Sequence, residues 1–256
     1  MIDAMALAAD IARDGFRVAP AVFPSAAAGA LVAHLKARPV WNAHVIPQSD
    51  RVARSFADGL ALEPGFLCHA MADLVAAPHF VAFVLPFTAV AEAYFGEPAL
   101  LYSLNAFWKT PRGGPGWHYD KDDRKQLVLF MYGSPIYEDA AGTHKYLRFS
   151  HRKSREELAA WHDVPGAAPP DEDVATFVGP PGFCFLTDTG GLHNGLAPAA
   201  GGGRLLLWAR WGVSDPPASY VHDEIAPVDA RLIAPRYMPP KALRDASRLV
   251  LDWSQA

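Results

Sequence analysis

The sequence predicts a mainly β fold, a jelly roll or barrel, with helices packed at its N-terminal side; three observations predict it. From residue 98 onward, short apolar segments of strand length follow one another. Their connections cluster turn residues, as in PRGGPG, GSP, VGPPG and APAAGGG. Gly (20) and Pro (23) together make up about a sixth of the 256 residues, above the usual roughly 12%, which favours tight turns over a helical bundle.

The first third reads helical. Ile2, Met5, Leu7, Ile11 and Phe16 share one helix face. RVAPAVF is extended in character, since Pro20 and Pro24 restrict the residues before them. Ser25 is placed to cap a second helix, AAAGALVAHLKAR, that stops before Pro39. Two further helices are expected over about 65–77 and 80–94. Strands are expected at about 99–108, 126–133, 146–149, 182–187 and 204–212. One helix, SREELAAWH, interrupts them, with Ser154 and Glu157 in capping-box spacing. No repeat and no linker divides the chain. It reads as one domain over 1–256: helical support over 1–97, a β core over about 98–215 and a C-terminal tail over 216–256.

Composition narrows the function. Hydrophobic residues make up 51% of the chain, enough for one sizeable core and too many for disorder. The formal charge of −4 shows no basic excess, so neither nucleic acid nor an anionic membrane is an expected partner. Cys68 and Cys184 stand alone, which excludes a disulfide framework or a zinc knuckle. The N-terminus carries Asp3, Asp10 and Asp14 without a basic segment, and the apolar run Phe80–Phe87 is broken by Pro86. A reducing, cytoplasmic setting is the expectation; the oligomeric state stays open.

GPGWHYDKDD places His118 and Asp120 two residues apart, so on an extended segment both point to one face and can meet one metal ion. Chance alone gives about one such pair in a chain of this composition, and a second is present at His222 and Glu224. No histidine follows His222, so that pair cannot begin a triad of two histidines and one carboxylate, the set that leaves positions open on an octahedral Fe(II). After Asp120 the candidates for the third ligand are His144, His151, His162, His193 and His222. His193 ends FCFLTDTGGLHNG and precedes a strand that opens on Arg204, a guanidinium suited to clamp a carboxylate. Arg155 stands at the same distance from His144 but in a polar helix, and His144 and His151 read as surface or loop residues. Asp188 reads as a turn residue before Gly190 or as an acceptor orienting a ligand. Trp117, Trp208 and Trp211 read as core, and Lys121 to Lys125 as a solvated loop.

The order WHYD … H … R, with eleven positions from His193 to Arg204, resembles the phytanoyl-CoA dioxygenase-like branch of the Fe(II)/2-oxoglutarate oxygenases. RDGFRVAPAVFPSAAAGAL, NAFWKTPRGGPGWHYD, GTHKYLRFSHR and PGFCFLTDTGGLHNG resemble successive stretches of that family, covering about residues 10–215. The resemblance implies a double-stranded β-helix, cupin-like, that holds Fe(II) at His118, Asp120 and His193. It implies 2-oxoglutarate as co-substrate, with its distal carboxylate on Arg204 and Asn105 touching it, and O2 as oxidant. The implied reaction hydroxylates an unactivated C–H bond of a small molecule and releases succinate and CO2. Tyr119 stands where a Gln is usual, and RFSHR lacks the family's Pro-Gly. A cupin-like metal enzyme without 2-oxoglutarate and a silent jelly-roll binding protein are the other readings.

Overall fold

A computed structural model gives the structure; it describes residues 2–20, 23–42, 52–62, 66–69, 71–77, 79–111, 116–120, 125–199 and 203–213. The expected C-terminal helix, His222, Glu224 and the run 121–124 lie outside the described residues.

Helix α1 (Ala4–Asp14) is capped by Asp3, whose carboxylate accepts the Ala6 N–H at 3.0 Å, and it ends at Gly15 with φ 87°. Strand β1 (Phe16–Val18) follows, then α2 (Ser25–Lys36). Ser25 is not the cap: Pro24, already extended at ψ 133°, occupies that position, and no side chain closes this helix end. Next come β2 (Trp41–Asn42), α3 (Phe56–Leu62), β3 (Phe66–Cys68) and α4 (Met71–Val75). The helix expected over 65–77 is therefore a strand and a short helix, because Phe66–Cys68 pairs with strands on both sides. The helix expected over 80–94 is split at Pro86 into α5 (Phe80–Val84), a 3-10 turn and α6 (Thr88–Phe95).

The β half comprises β4 (Leu100–Lys109), β5 (Gln126–Tyr132), β6 (His144–Leu147), β7 (Val174–Phe177), β8 (Cys184–Thr187), β9 (His193–Gly195) and β10 (Arg204–Gly212). Helix α7 (Arg155–Leu158) lies between β6 and β7 and carries the expected capping box, Ser154 N–H to Glu157 Oε2 at 2.7 Å. Strand β6 begins two residues earlier than expected and stops before Phe149, where φ is 63°. A seven-stranded sheet runs β1-β8-β5-β10-β4-β3-β2 and a three-stranded sheet runs β7-β6-β9, with antiparallel pairing throughout. This is a mostly antiparallel, jelly-roll-like arrangement with helices on one side.

Alternation along the central strands sets what each face does. On β10, Leu205, Leu207, Ala209 and Trp211 join the core under the helices. Each large apolar side chain buried there contributes about 1.5–3 kcal/mol. The intervening residues Arg204, Leu206, Trp208 and Arg210 point the other way, toward the small sheet, where Val128, Phe130, Tyr146, Phe177 and Phe185 form a second core. Two arginines thus enter the interior because the strand period puts them on the inner face.

Candidate metal centre

His118 and His193 are clasped by their backbones. The His118 N–H donates to His193 O at 2.9 Å and the His193 N–H to His118 O at 2.8 Å. Strand β9 is in turn paired with β6, Tyr146 opposite His193. The Asp120 N–H donates to Thr189 O at 2.8 Å, so GWHYD (116–120) lies antiparallel against TDTGGLH. Through this pairing His118, Asp120 and His193 each offer one ligand atom, all within 4.8 Å of one another.

The rings are oriented by carbonyls. His118 Nδ1 lies 2.9 Å from Gly116 O, and His193 Nδ1 lies 3.0 Å from Gly191 O. A carbonyl only accepts, so Nδ1 carries the proton and the Nε2 lone pair is presented outward. Gly191 has no alternative at its position: a Cβ there would sit 1.9 Å from the Tyr146 hydroxyl oxygen.

Arg210, buried at 4% exposure, pairs with Asp120 at 2.9 Å. Burial pushes the Asp120 carboxyl up, but the guanidinium and the two imidazoles outweigh it, and the net shift is downward. His118 is lowered to about 4 by burial and by repulsion from His193, which keeps its ring neutral. Asp120 and His118 therefore present an anionic oxygen and a neutral imidazole nitrogen at neutral pH, as metal binding requires.

The three border a cavity of about 110 Å³, also lined by Lys109, His144 and Arg204. That volume holds several waters or one small organic anion. Arg204, 2% exposed, donates to Gly142 O, leaves Nε without a partner and makes no ion pair among the described residues. Burial lowers it to about 10. Lys109, its cross-strand neighbour on β4, donates to Gly195 O and is lowered to about 7 by burial and by Arg204. A Cβ on Gly195 would lie 3.2 Å from Arg204 Nη2 and 3.7 Å from His144 Nδ1, so the missing side chain keeps this end open.

His144 corrects an expectation. It is not a surface residue but 3% exposed, stacked on His193 at 5.5 Å and tilted against Phe130 at 4.6 Å. Neither of its ring nitrogens has a partner. Burial drives it far below the ordinary histidine value. The signal in the sequence was its two-residue spacing to the buried Tyr146, which puts both on one face of β6. Arg210 was missed too, although its even spacing from Arg204 marks the same strand face. Asn105 does not line the cavity; its amide donates to Ser103 Oγ. His151 is half-buried, with Nε2 3.2 Å from Ala12 O. Asp188 accepts the Tyr94 hydroxyl at 2.6 Å and the Gly190 N–H at 2.8 Å.

The residues present fit a divalent metal and a carboxylate-bearing ligand. Two imidazole nitrogens and one carboxylate suit iron-type ions and leave coordination positions free. Beside them, a buried guanidinium without an ion pair and an imidazole with two orphaned nitrogens are groups that stay costly until an anion or polar ligand meets them.

No family model matches the chain, and no curated protein sequence matches it. Among solved structures it is similar to HygX from Streptomyces hygroscopicus with nickel, 2-oxoglutarate and hygromycin B bound: TM-score 0.57, 17% identity, 82% of this chain and 87% of that one covered. It is also similar to the epimerase SnoN in complex with Fe3+, alpha ketoglutarate and nogalamycin RO, at TM-score 0.55, 17% identity, and 81% and 82% coverage. A third neighbour is SnoK, a non-heme alpha ketoglutarate-dependent carbocyclase from nogalamycin biosynthesis, at TM-score 0.57, 15% identity, and 82% and 84% coverage. At these identities the likeness is one of fold: this chain has the jelly-roll-like fold of non-heme, 2-oxoglutarate-dependent enzymes.

Proposed function

We propose that the chain is an Fe(II)- and 2-oxoglutarate-dependent oxygenase, a single domain on a double-stranded β-helix of the phytanoyl-CoA dioxygenase-like kind. The observation that carries this reading is the meeting of His118, Asp120 and His193 within 4.8 Å at a cavity that also contains buried Arg204. Support comes from neighbours crystallised with 2-oxoglutarate and with nickel or iron.

His118, Asp120 and His193 would hold Fe(II), and Arg204 the distal carboxylate of 2-oxoglutarate, with His144 beside it. Bound together, iron, 2-oxoglutarate and O2 supply a C–H hydroxylation in which one oxygen atom enters the substrate and the other enters succinate, with CO2 released. The protein does the rest. Nδ1 bonds to Gly116 and Gly191 fix both imidazoles, and Arg210 fixes the Asp120 carboxylate. Phe130, Leu206 and Trp208 keep water from the interior face of the cavity.

Anaerobic titration of the metal-free protein with Fe(II) and then 2-oxoglutarate tests this. The expected result is a weak visible charge-transfer band, absent in His193→Ala, and shifted to much higher 2-oxoglutarate concentration in Arg204→Ala with iron affinity kept. Iron binding without any such band sinks the reading in favour of a cupin-like metal enzyme.

A further inference from the structure

A second cavity, of about 430 Å³, adjoins the first, and among the described residues the two linings share only Asp120. Its size is that of a small-molecule site. One wall is the Tyr119 ring, held between His162 at 4.0 Å and the Arg155 guanidinium at 5.2 Å. At the Asp120 end sits Gln126, 3% exposed; its amide N–H donates to Asp120 O at 3.2 Å, while its buried Oε1 has no partner among the described residues. An acceptor so placed calls for an O–H or N–H brought by whatever fills the space.

Among the described residues, the charge of the lining has one sign to spare. Asp120 is taken by Arg210, and Asp188 by Tyr94 and Gly190. Lys125 pairs with Glu97 at 2.9 Å. Lys153 and Arg155 line the cavity and make no ion pair among the described residues.

We infer that this cavity holds the molecule to be oxidised and selects a small acid. Its carboxylate, phosphate or sulfate meets Lys153 and Arg155, its hydroxyl or amine donates to Gln126, and its body lies along Tyr119 beside Asp120. The inference rests on the reading of His118, Asp120 and His193 as metal ligands. It places the oxidised carbon at the Asp120 end of the cavity and the acidic group at the exposed Lys153 and Arg155.

The test uses the whole chain with 2-oxoglutarate and one equivalent of either paramagnetic Mn(II) or diamagnetic Zn(II). Phenyl phosphate and glycerol 3-phosphate are the probes, read by proton and 31P relaxation; phenol and glycerol, compared with them by proton relaxation, are the neutral controls. Expected is faster relaxation of both phosphates with Mn(II) than with Zn(II), and little effect on the neutral pair. Lys153→Glu/Arg155→Glu, at two exposed positions, weakens both phosphates by about tenfold or more, two charge-assisted contacts being lost, and leaves Mn(II) affinity unchanged. Gln126→Leu weakens glycerol 3-phosphate and spares phenyl phosphate. Equal relaxation of phenol and phenyl phosphate, no effect of Mn(II) on any probe, or full binding by the charge-reversed variant overturns the proposal. If Mn(II) is not retained, or His193→Ala retains it equally well, the metal-centre reading fails and this proposal fails with it.

Discussion

Arg204 and Lys109 stand side by side on adjacent strands, and their burial, together with their mutual repulsion, has a measurable consequence. Lys109 titrates near 7 in the folded chain, against 10.5 for an ordinary lysine. Between those values the unfolded chain binds more protons, so this residue makes stability rise with pH across that window; below about 7 its full penalty is present. A bound carboxylate reverses the shift. At pH 8, calorimetry of 2-oxoglutarate binding in buffers of different ionisation enthalpy should therefore show proton uptake, and Lys109→Met should abolish it. Arg210 makes a second prediction at this scale: Arg210→Met frees the Asp120 carboxylate and should weaken Fe(II) binding by about 10–100-fold, as loss of a ligand-orienting partner does. That His118, Asp120, His193 and Arg204 gather at one cavity was legible in the sequence, from their identities and spacings. His144 and Arg210 were not, since only strand pairing reveals which cavity an inward side chain enters.

At the scale of elements, β10 does two tasks with one alternation. Its odd-numbered residues seal the helical core, and its even-numbered ones, from Arg204 to Arg210, furnish the cavity. The strands of this half were readable from apolar runs bounded by turn residues. What escaped were short strands such as Val174–Phe177 and Phe66–Cys68, which exist only because partners are there to pair with them. The loop TGGLH makes the sharpest prediction. Gly191→Ala forces a Cβ into the Tyr146 hydroxyl and displaces the carbonyl that orients His193. Far-ultraviolet circular dichroism should stay near that of the parent while Fe(II) affinity falls at least tenfold. Unchanged affinity would show that the turn tolerates the extra methyl without moving the ligand.

For the whole molecule, the cavity sits between the two sheets, so a ligand that fills it braces both layers. At about one hundred times its dissociation constant, 2-oxoglutarate should stabilise the metal-loaded protein by about 2.7 kcal/mol. That corresponds to a rise of several degrees in Tm for a chain of this size. Thermal scans of the apo protein, or of Arg204→Ala, should show no such rise; a shift without metal would place the co-substrate elsewhere.

The mutual backbone clasp of His118 and His193 carries one more consequence. It holds the two imidazoles side by side through main-chain bonds, and a donor set so arranged has little means to refuse a competitor. Affinities of nitrogen and oxygen donors climb from iron through cobalt and nickel to copper. A triad of this kind is accordingly prone to mismetallation, and the protein isolated from cells should carry whichever divalent ion its surroundings leave most available.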